Sequence, residues 1–118
     1  MRILGVSKKW DKLKEPDWTT FRFERKDKDW YEGEFVQVVY KPRSKDREIL
    51  GQAKIVKKEQ RHFGLFNIYD PRYLTIAEAQ EDGFKSYGDM KLWFREQYGK
   101  RIFDEPINKL TLKWEANR

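Results

Sequence analysis

The six residues from Phe35 to Tyr40 set the tightest limit on what this chain can become. Phe-Val-Gln-Val-Val-Tyr is apolar at both parities except for Gln37. Successive side chains of a strand face opposite ways, so such a run must be a central strand covered on both sides. The cover has to come from few residues. Apolar residues make up 38% of the 118, charged residues 39%, and the 16% that are aromatic must supply much of the core volume. By length this is a single domain, 1–118, with a modest core.

The pattern around that strand divides into a β-rich first half, a helical insert and a closing strand. Arg2 to Ser7 reads as a strand, followed by a helical turn at Lys9 to Leu13 that Pro16 stops. Trp18 to Arg25 alternates, with Phe21 and Phe23 on one face and Thr20, Arg22 and Glu24 on the other. Pro42 to Glu48 is a polar loop. Ile49 to Lys58 is the next strand, its inner face expected to carry Ile49, Gly51, Ala53 and Ile55. Thr75 with Glu78 makes a capping box and Gly83 can end that helix; Ser86 with Asp89 makes a weaker variant, closed by Gly99. Met90, Trp93, Phe94 and Tyr98 form one helical stripe. Leu110, Leu112 and Trp114 alternate with polar residues in a half-buried last strand. The fold class is α+β: a small barrel of about five or six strands with two to three peripheral helices, or else an open sheet with the helices on one face.

Charge is unevenly placed. Between Lys41 and Arg61 lie eight cations against Asp46, Glu48 and Glu59, a net +5 of the chain's formal +6. A concentrated basic strip beside aromatic residues is the footprint of a protein that meets phosphate. The loop residues Lys41, Arg43, Lys45 and Arg47 can follow a nucleic-acid backbone; the alternative is a solvated turn that keeps a hairpin soluble. Lys8, Lys9, Lys54 and Lys57 extend the strip. Arg22 is either a fork-shaped donor to phosphate or a base edge, or one half of an ion pair on a solvated sheet. Arg25, three positions on, points to the opposite face. Trp18 precedes the Thr20–Arg22 face and is the preferred stacking platform, although a small core also needs large rings.

Other chemistries are disfavoured. Cysteine is absent and His62 is the only histidine. Without cysteine and with one histidine, no thiolate site and no ordinary zinc site can be assembled, so neither metal nor cofactor is expected; His62 reads as a surface or cap residue, which sets aside a Ser-His-Asp triad. The pairs Asp27/Asp29, Glu81/Asp82 and Asp104/Glu105 read as solvated charges. Glu59 ends a strand expected to border a cleft and is the candidate general base. The start is too short and too soon charged for a signal peptide, and no run is long enough to span a membrane. A cytoplasmic monomer is expected, with an ionic, Asn- and Gln-poor composition of the kind heat-adapted proteins show.

Several segments together resemble the ASCH domain superfamily. They are Thr19-Thr20-Phe21-Arg22-Phe23-Glu24-Arg25, then Gly33-Glu34 before an apolar strand, then Leu50-Gly51-Gln52-Ala53-Lys54-Ile55. Thr75 to Phe84 and a Ser86-capped helix ending in Tyr98-Gly99 complete the order. The resemblance implies a PUA-like β-barrel, a cleft between barrel and helices, and RNA or single-stranded nucleic acid as partner. Of the family's GxKxxExR signature, aligned on Trp18, Thr20, Phe23 and Arg25, only Arg25 matches. Some relatives are similar to amidohydrolases acting on acetylated cytidine through a Lys, a Thr and a Glu. The resemblance implies Thr20 and Glu59 for two of these, while no lysine lies within Trp18 to Arg25.

Overall fold

The computed structural model describes residues 1–63 and 72–115. Five strands form one mixed sheet: β1 (Arg2–Val6), β2 (Asp17–Arg22), β3 (Phe35–Tyr40), β4 (Glu48–Arg61) and β5 (Ile107–Trp114), in the order β1-β3-β4-β5-β2. β1 runs parallel to β3, and all other neighbours are antiparallel. The two edges are β1 and β2, and no strand pairing joins them among the described residues. A 3-10 turn at Asp11–Lys14 connects them. The helices are α1 (Ile76–Glu81), α2 (Tyr87–Tyr98) and α3 (Arg101–Asp104).

Two apolar clusters lie on opposite faces of the sheet. The inner one draws on every strand: Leu4 and Val6, Trp18, Val36 and Val38, Ala53 and Ile55, Leu110, Leu112 and Trp114. One face of five strands can converge on a shared cluster only if the sheet curls. The outer cluster holds Phe21, Phe23, Phe63 and Ile107 of the sheet side together with Ala79, Met90, Phe94 and Ile102 of the helices. All three helices therefore pack on the outer face. The expected alternation of Phe21 and Phe23 away from the Thr20–Arg22 face holds.

Two irregularities in β4 correct the expected faces. Val38 pairs with Gly51 but Val39 pairs with Ile49, so Leu50 is an extra residue. Such a bulge reverses every side chain before it. Leu50 consequently packs against the inner cluster, and Ile49, expected inside, is 57% exposed. The second shift lies between Ile55 and Lys57, leaving Val56 unpaired. Beyond it Glu59 stands opposite Lys109, on the face that carries Ile107. The strand also runs three residues further than its alternation indicated, because pairing with β5 continues to Arg61.

The helix starts follow their caps. Thr75 and Glu78 complete a reciprocal capping box, and the Ser86 hydroxyl accepts from the Asp89 N–H. Gly99 closes α2 at φ 63. Trp30 is buried within the inner cluster, with the Arg2 guanidinium over its ring at 4.6 Å and forked onto Glu34.

Burial in this fold separates two similar substitutions. Leu112→Ala, at a fully buried position of the inner cluster, is expected to cost about 2–5 kcal/mol. Ile49→Ala is expected to stay within about 0.5 kcal/mol. Urea unfolding of both variants checks this; a costly Ile49→Ala would contradict the bulge at Leu50.

Candidate functional site

The open seam between β1 and β2 is where the residues capable of chemistry meet. Gly5, Val6 and Ser7 at the end of β1 face Thr20, Phe21 and Arg22 at the end of β2. The 3-10 turn contributes Lys12, preceded by Trp10. The end of α1 contributes Asp82, and α2 contributes Trp93, Phe94, Gln97 and Tyr98. These enclose a cavity of about 200 Å³. Drug-sized ligands use roughly 300–1,000 Å³, so this space suits a single ring or one compact polar group.

An ion pair taken out of water forms one wall. Lys12 Nζ hydrogen-bonds Asp82 Oδ1 and, at 2.7 Å, the Thr19 carbonyl. The two side chains are only 10% and 6% exposed. Burial pushes the Asp82 carboxyl above its ordinary value and pulls the Lys12 ammonium below its own, with their mutual attraction opposing both shifts. Trp10 stands at the mouth of the cavity, 5.3 Å from Phe84, with Lys8 over its ring at 4.7 Å. Its seat depends on Gly83: at φ +109 a Cβ there would lie 2.9 Å from the indole.

Arg22 lies on the same face of β2 as Thr20. Its Nε is shut off from solvent without a hydrogen-bond partner, and no ion pair reaches its guanidinium among the described residues. Desolvation pulls its pKa down, while Tyr98 and Asp82 act in the opposite sense. The Thr20 hydroxyl, in a residue 6% exposed, likewise has no hydrogen-bond partner among the described residues.

The cavity continues into a wider groove of about 730 Å³ that shares Gly5–Ser7, Arg22, Gln97 and Tyr98 and adds Lys41, Pro42, Arg43 and Ser44. Gly5 makes this possible, since a Cβ on it would come within 2.8 Å of Pro42 Cγ. The missing side chain lets the loop lie against β1 and brings Lys41 and Arg43 to the groove. On the other side of Trp10 and Lys12 lies a third depression, carrying Lys8 and Lys9 but also Asp11, Glu15 and Glu81. Lys9 is paired with Glu48 at the start of β4.

The remaining expected residues lie elsewhere. Trp18 is 4% exposed, packed against Trp114 with ring centroids 5.5 Å apart, so it fills the core and is not a stacking platform. Arg25 pairs with Asp27 and stands over Trp30. Lys54 lies over Phe35, and Lys57 pairs with Glu59. Lys45 and Arg47 are exposed and line none of the described cavities. Glu59 is turned away from the cavity by the Val56 bulge and is held by Arg61 at 2.8 Å. It belongs to a network in which Arg61 and Lys109 also bind Glu78, at 3.0 and 2.7 Å. His62 bridges to Tyr73, and among the described residues no group of three His, Cys, Asp or Glu side chains is placed to hold a metal.

Sequence reasoning missed Lys12 and Asp82 as members of the site, and preferred Trp18 over Trp10 among the aromatics that lie in or beside basic segments. Asp82 read as a solvated charge beside Glu81, yet it is 4% exposed. Nothing local marks a partnership across seventy positions. Gly83 is the one local hint, because a glycine after a helix also permits a close approach.

The chain matches no family model, no curated protein and no solved structure.

Two expected outcomes follow from these ion pairs. Asp82→Asn leaves Lys12 charged and unpaired in the interior and is expected to cost about 3–5 kcal/mol, while Lys12→Met with Asp82→Leu is neutral or stabilising. Denaturant unfolding distinguishes these, and a loss below about 1 kcal/mol for Asp82→Asn would contradict a buried pair.

The second outcome concerns acid. The Arg61 hydrogen bond holds Glu59 below its ordinary value of 4.5. Burial pushes Glu78 up, but Lys109, the Thr75 backbone and Arg61 outweigh it and leave it below 4.5. The folded chain thus binds fewer protons than the unfolded one near that pH. The stabilisation is complete above pH 4.5 and lost as pH falls through the depressed folded values. Glu78→Gln should lower the melting temperature at neutral pH and converge with wild type in acid; a constant gap would contradict the linkage.

Proposed function

We propose that this chain is a nucleic-acid binding module, with single-stranded RNA as its foremost partner, that takes one nucleotide into the seam between β1 and β2. The observation that carries the reading is the continuity of the cavity with the groove holding Arg22, Lys41 and Arg43. A cavity of this size takes a base or a phosphate but not both. Trp10, Phe84 and Trp93 supply apolar ring surface along its wall, of the kind on which unpaired bases stack. The groove then receives the backbone. Trp10 replaces Trp18 as the aromatic contact.

The resemblance to the ASCH superfamily agrees with this reading. We take the curled sheet as a PUA-like barrel whose seam is the gap between the two edge strands. The convergence of all five strands on one inner cluster supports that closure.

A second reading is favoured by one observation: Lys12, Thr20 and Asp82 line the same cavity. These residue types suit hydrolysis of an amide on a modified nucleoside, with the Thr20 hydroxyl free to act and a buried carboxylate-ammonium pair beside it to move a proton. Lys12 would supply the lysine missing from β2, and Asp82 would take the place of Glu59. Release of acetate from acetylated cytidine, lost in Thr20→Val, would carry this reading; no turnover over hours removes it.

The binding reading is tested by a salt series. For single strands each phosphate contact contributes about 0.7 to the slope of log K against log salt. Lys41→Gln with Arg43→Gln is therefore expected to flatten the slope for a short single-stranded RNA by about 1.4. Lys54→Gln with Lys57→Gln should leave it unchanged. Equal effects of the two pairs, or no binding at low salt, would contradict the proposed path.

A further inference from the structure

We propose that Arg22 is the phosphate receptor of the seam: it takes the phosphate attached to the nucleotide whose base or sugar enters the cavity. This rests on the nucleic-acid reading above and adds which group of the ligand is recognised, and by what.

Arg22 lacks the partners that a guanidinium requires. A guanidinium has five N–H donors in a fixed plane and stays charged under all ordinary conditions. Folded proteins satisfy such a group when they bury it, because a desolvated cation without a partner is strongly unfavourable. The other arginines close to the sheet obey this. Arg2 is forked onto Glu34, and Arg61 bridges Glu59 and Glu78. Arg22 departs from it, with no hydrogen bond and no ion pair among the described residues and a sealed Nε. The nearest carboxylate in the cavity, Asp82, is already engaged by Lys12.

Position completes the case. Arg22, Gly5, Val6, Ser7, Gln97 and Tyr98 are the residues common to the inner cavity and the outer groove. A group bound to Arg22 therefore sits at the junction, with the cavity on one side and Lys41 and Arg43 on the other. With Nε sealed, a tetrahedral dianion or monoanion takes its two parallel hydrogen bonds from the two terminal nitrogens of the planar fork. Lys41 and Arg43 have no carboxylate partner among the described residues, although Lys41 stands 5.3 Å over the Tyr40 ring. They are placed to receive the following charge of a strand.

The test compares ribonucleoside 5′-monophosphates with the matching nucleosides by calorimetry, on wild type, Arg22→Met and Arg22→Lys. Wild type is expected to prefer the monophosphate by roughly tenfold to a hundredfold, the range of a charged hydrogen-bonded contact. Arg22→Met should lose that preference, and Arg22→Lys should keep part of it. Because the native arginine is unpartnered, Arg22→Met should melt at or above the wild-type temperature. A 5′-phosphorylated and a 5′-hydroxyl pentanucleotide separate the two sources of phosphate. Preference for the first marks a strand end, and equal, Arg22-dependent binding marks an internal phosphate. Equal binding of monophosphate and nucleoside, a preference that survives Arg22→Met, or a lower melting temperature in that variant would overturn the proposal. If the pentanucleotides still bind with Arg22 removed and unmissed, only this inference fails. If nothing binds at low salt, the nucleic-acid reading fails with it.

Discussion

The site is fastened by one ion pair held out of water, Lys12 to Asp82. Lys12 belongs to the turn that joins the two edge strands, and Asp82 to the end of the first helix. Their contact pins the helical layer to the open seam of the sheet. It also fixes Trp10 beside Gly83 and places a carboxylate and an ammonium next to an unbonded threonine hydroxyl. Burial makes such a pair a weak source of net stability but a strict constraint on geometry, since breaking either half leaves a charge stranded. Arg22 is the opposite case. It is half-buried beside the pair, its Nε sealed and with no partner of its own among the described residues, and the two facts together give the seam its character: one internal charge is neutralised and another is left available.

The second constraint is the pair of bulges in β4. An extra residue at Leu50 and another at Val56 reverse the faces of the strand twice. The first turns Ile49 outward and Leu50 inward. The second carries Glu59 to the helix side, where Arg61, Glu78 and Lys109 bind it. The basic strip of the sequence is thereby divided. Lys41 and Arg43 stay at the groove, while Lys57 is paired with Glu59 on the outer face and Lys54 rests over Phe35. Charge concentration in sequence does not carry over whole to charge concentration in space.

Legibility in the sequence followed the range of the interaction. Capping residues act within three positions, and Thr75, Ser86, Gly83 and Gly99 each mark their helix end correctly. Side-chain patterning is a local signal as well: alternation or an unbroken apolar run located all five strands and the burial of Val36, Val38, Leu110 and Leu112, although Phe35, expected to be covered, is 47% exposed. It failed at Ile49 and Glu59 because a bulge leaves no trace in residue type. Trp18 was misjudged because a tryptophan beside charged residues looks the same whether it stacks on Trp114 inside or on a base outside. Arg22, Thr20, Lys41 and Arg43 were recognised and do converge on connected spaces. Lys12 and Asp82 were not, since a pairing across seventy positions is decided by the curl of the sheet.

The account's central claim is that the seam between β1 and β2, and no other face, receives a nucleotide. Backbone amide shifts recorded while a short single-stranded RNA is titrated into the protein test it directly. The predicted result is a connected set of perturbed amides at Gly5, Ser7, Lys12, Thr20, Arg22, Arg43 and Tyr98, with Arg25, Lys54 and Lys57 silent. Perturbations centred on Lys54 and Lys57, or none at saturating RNA, would contradict it.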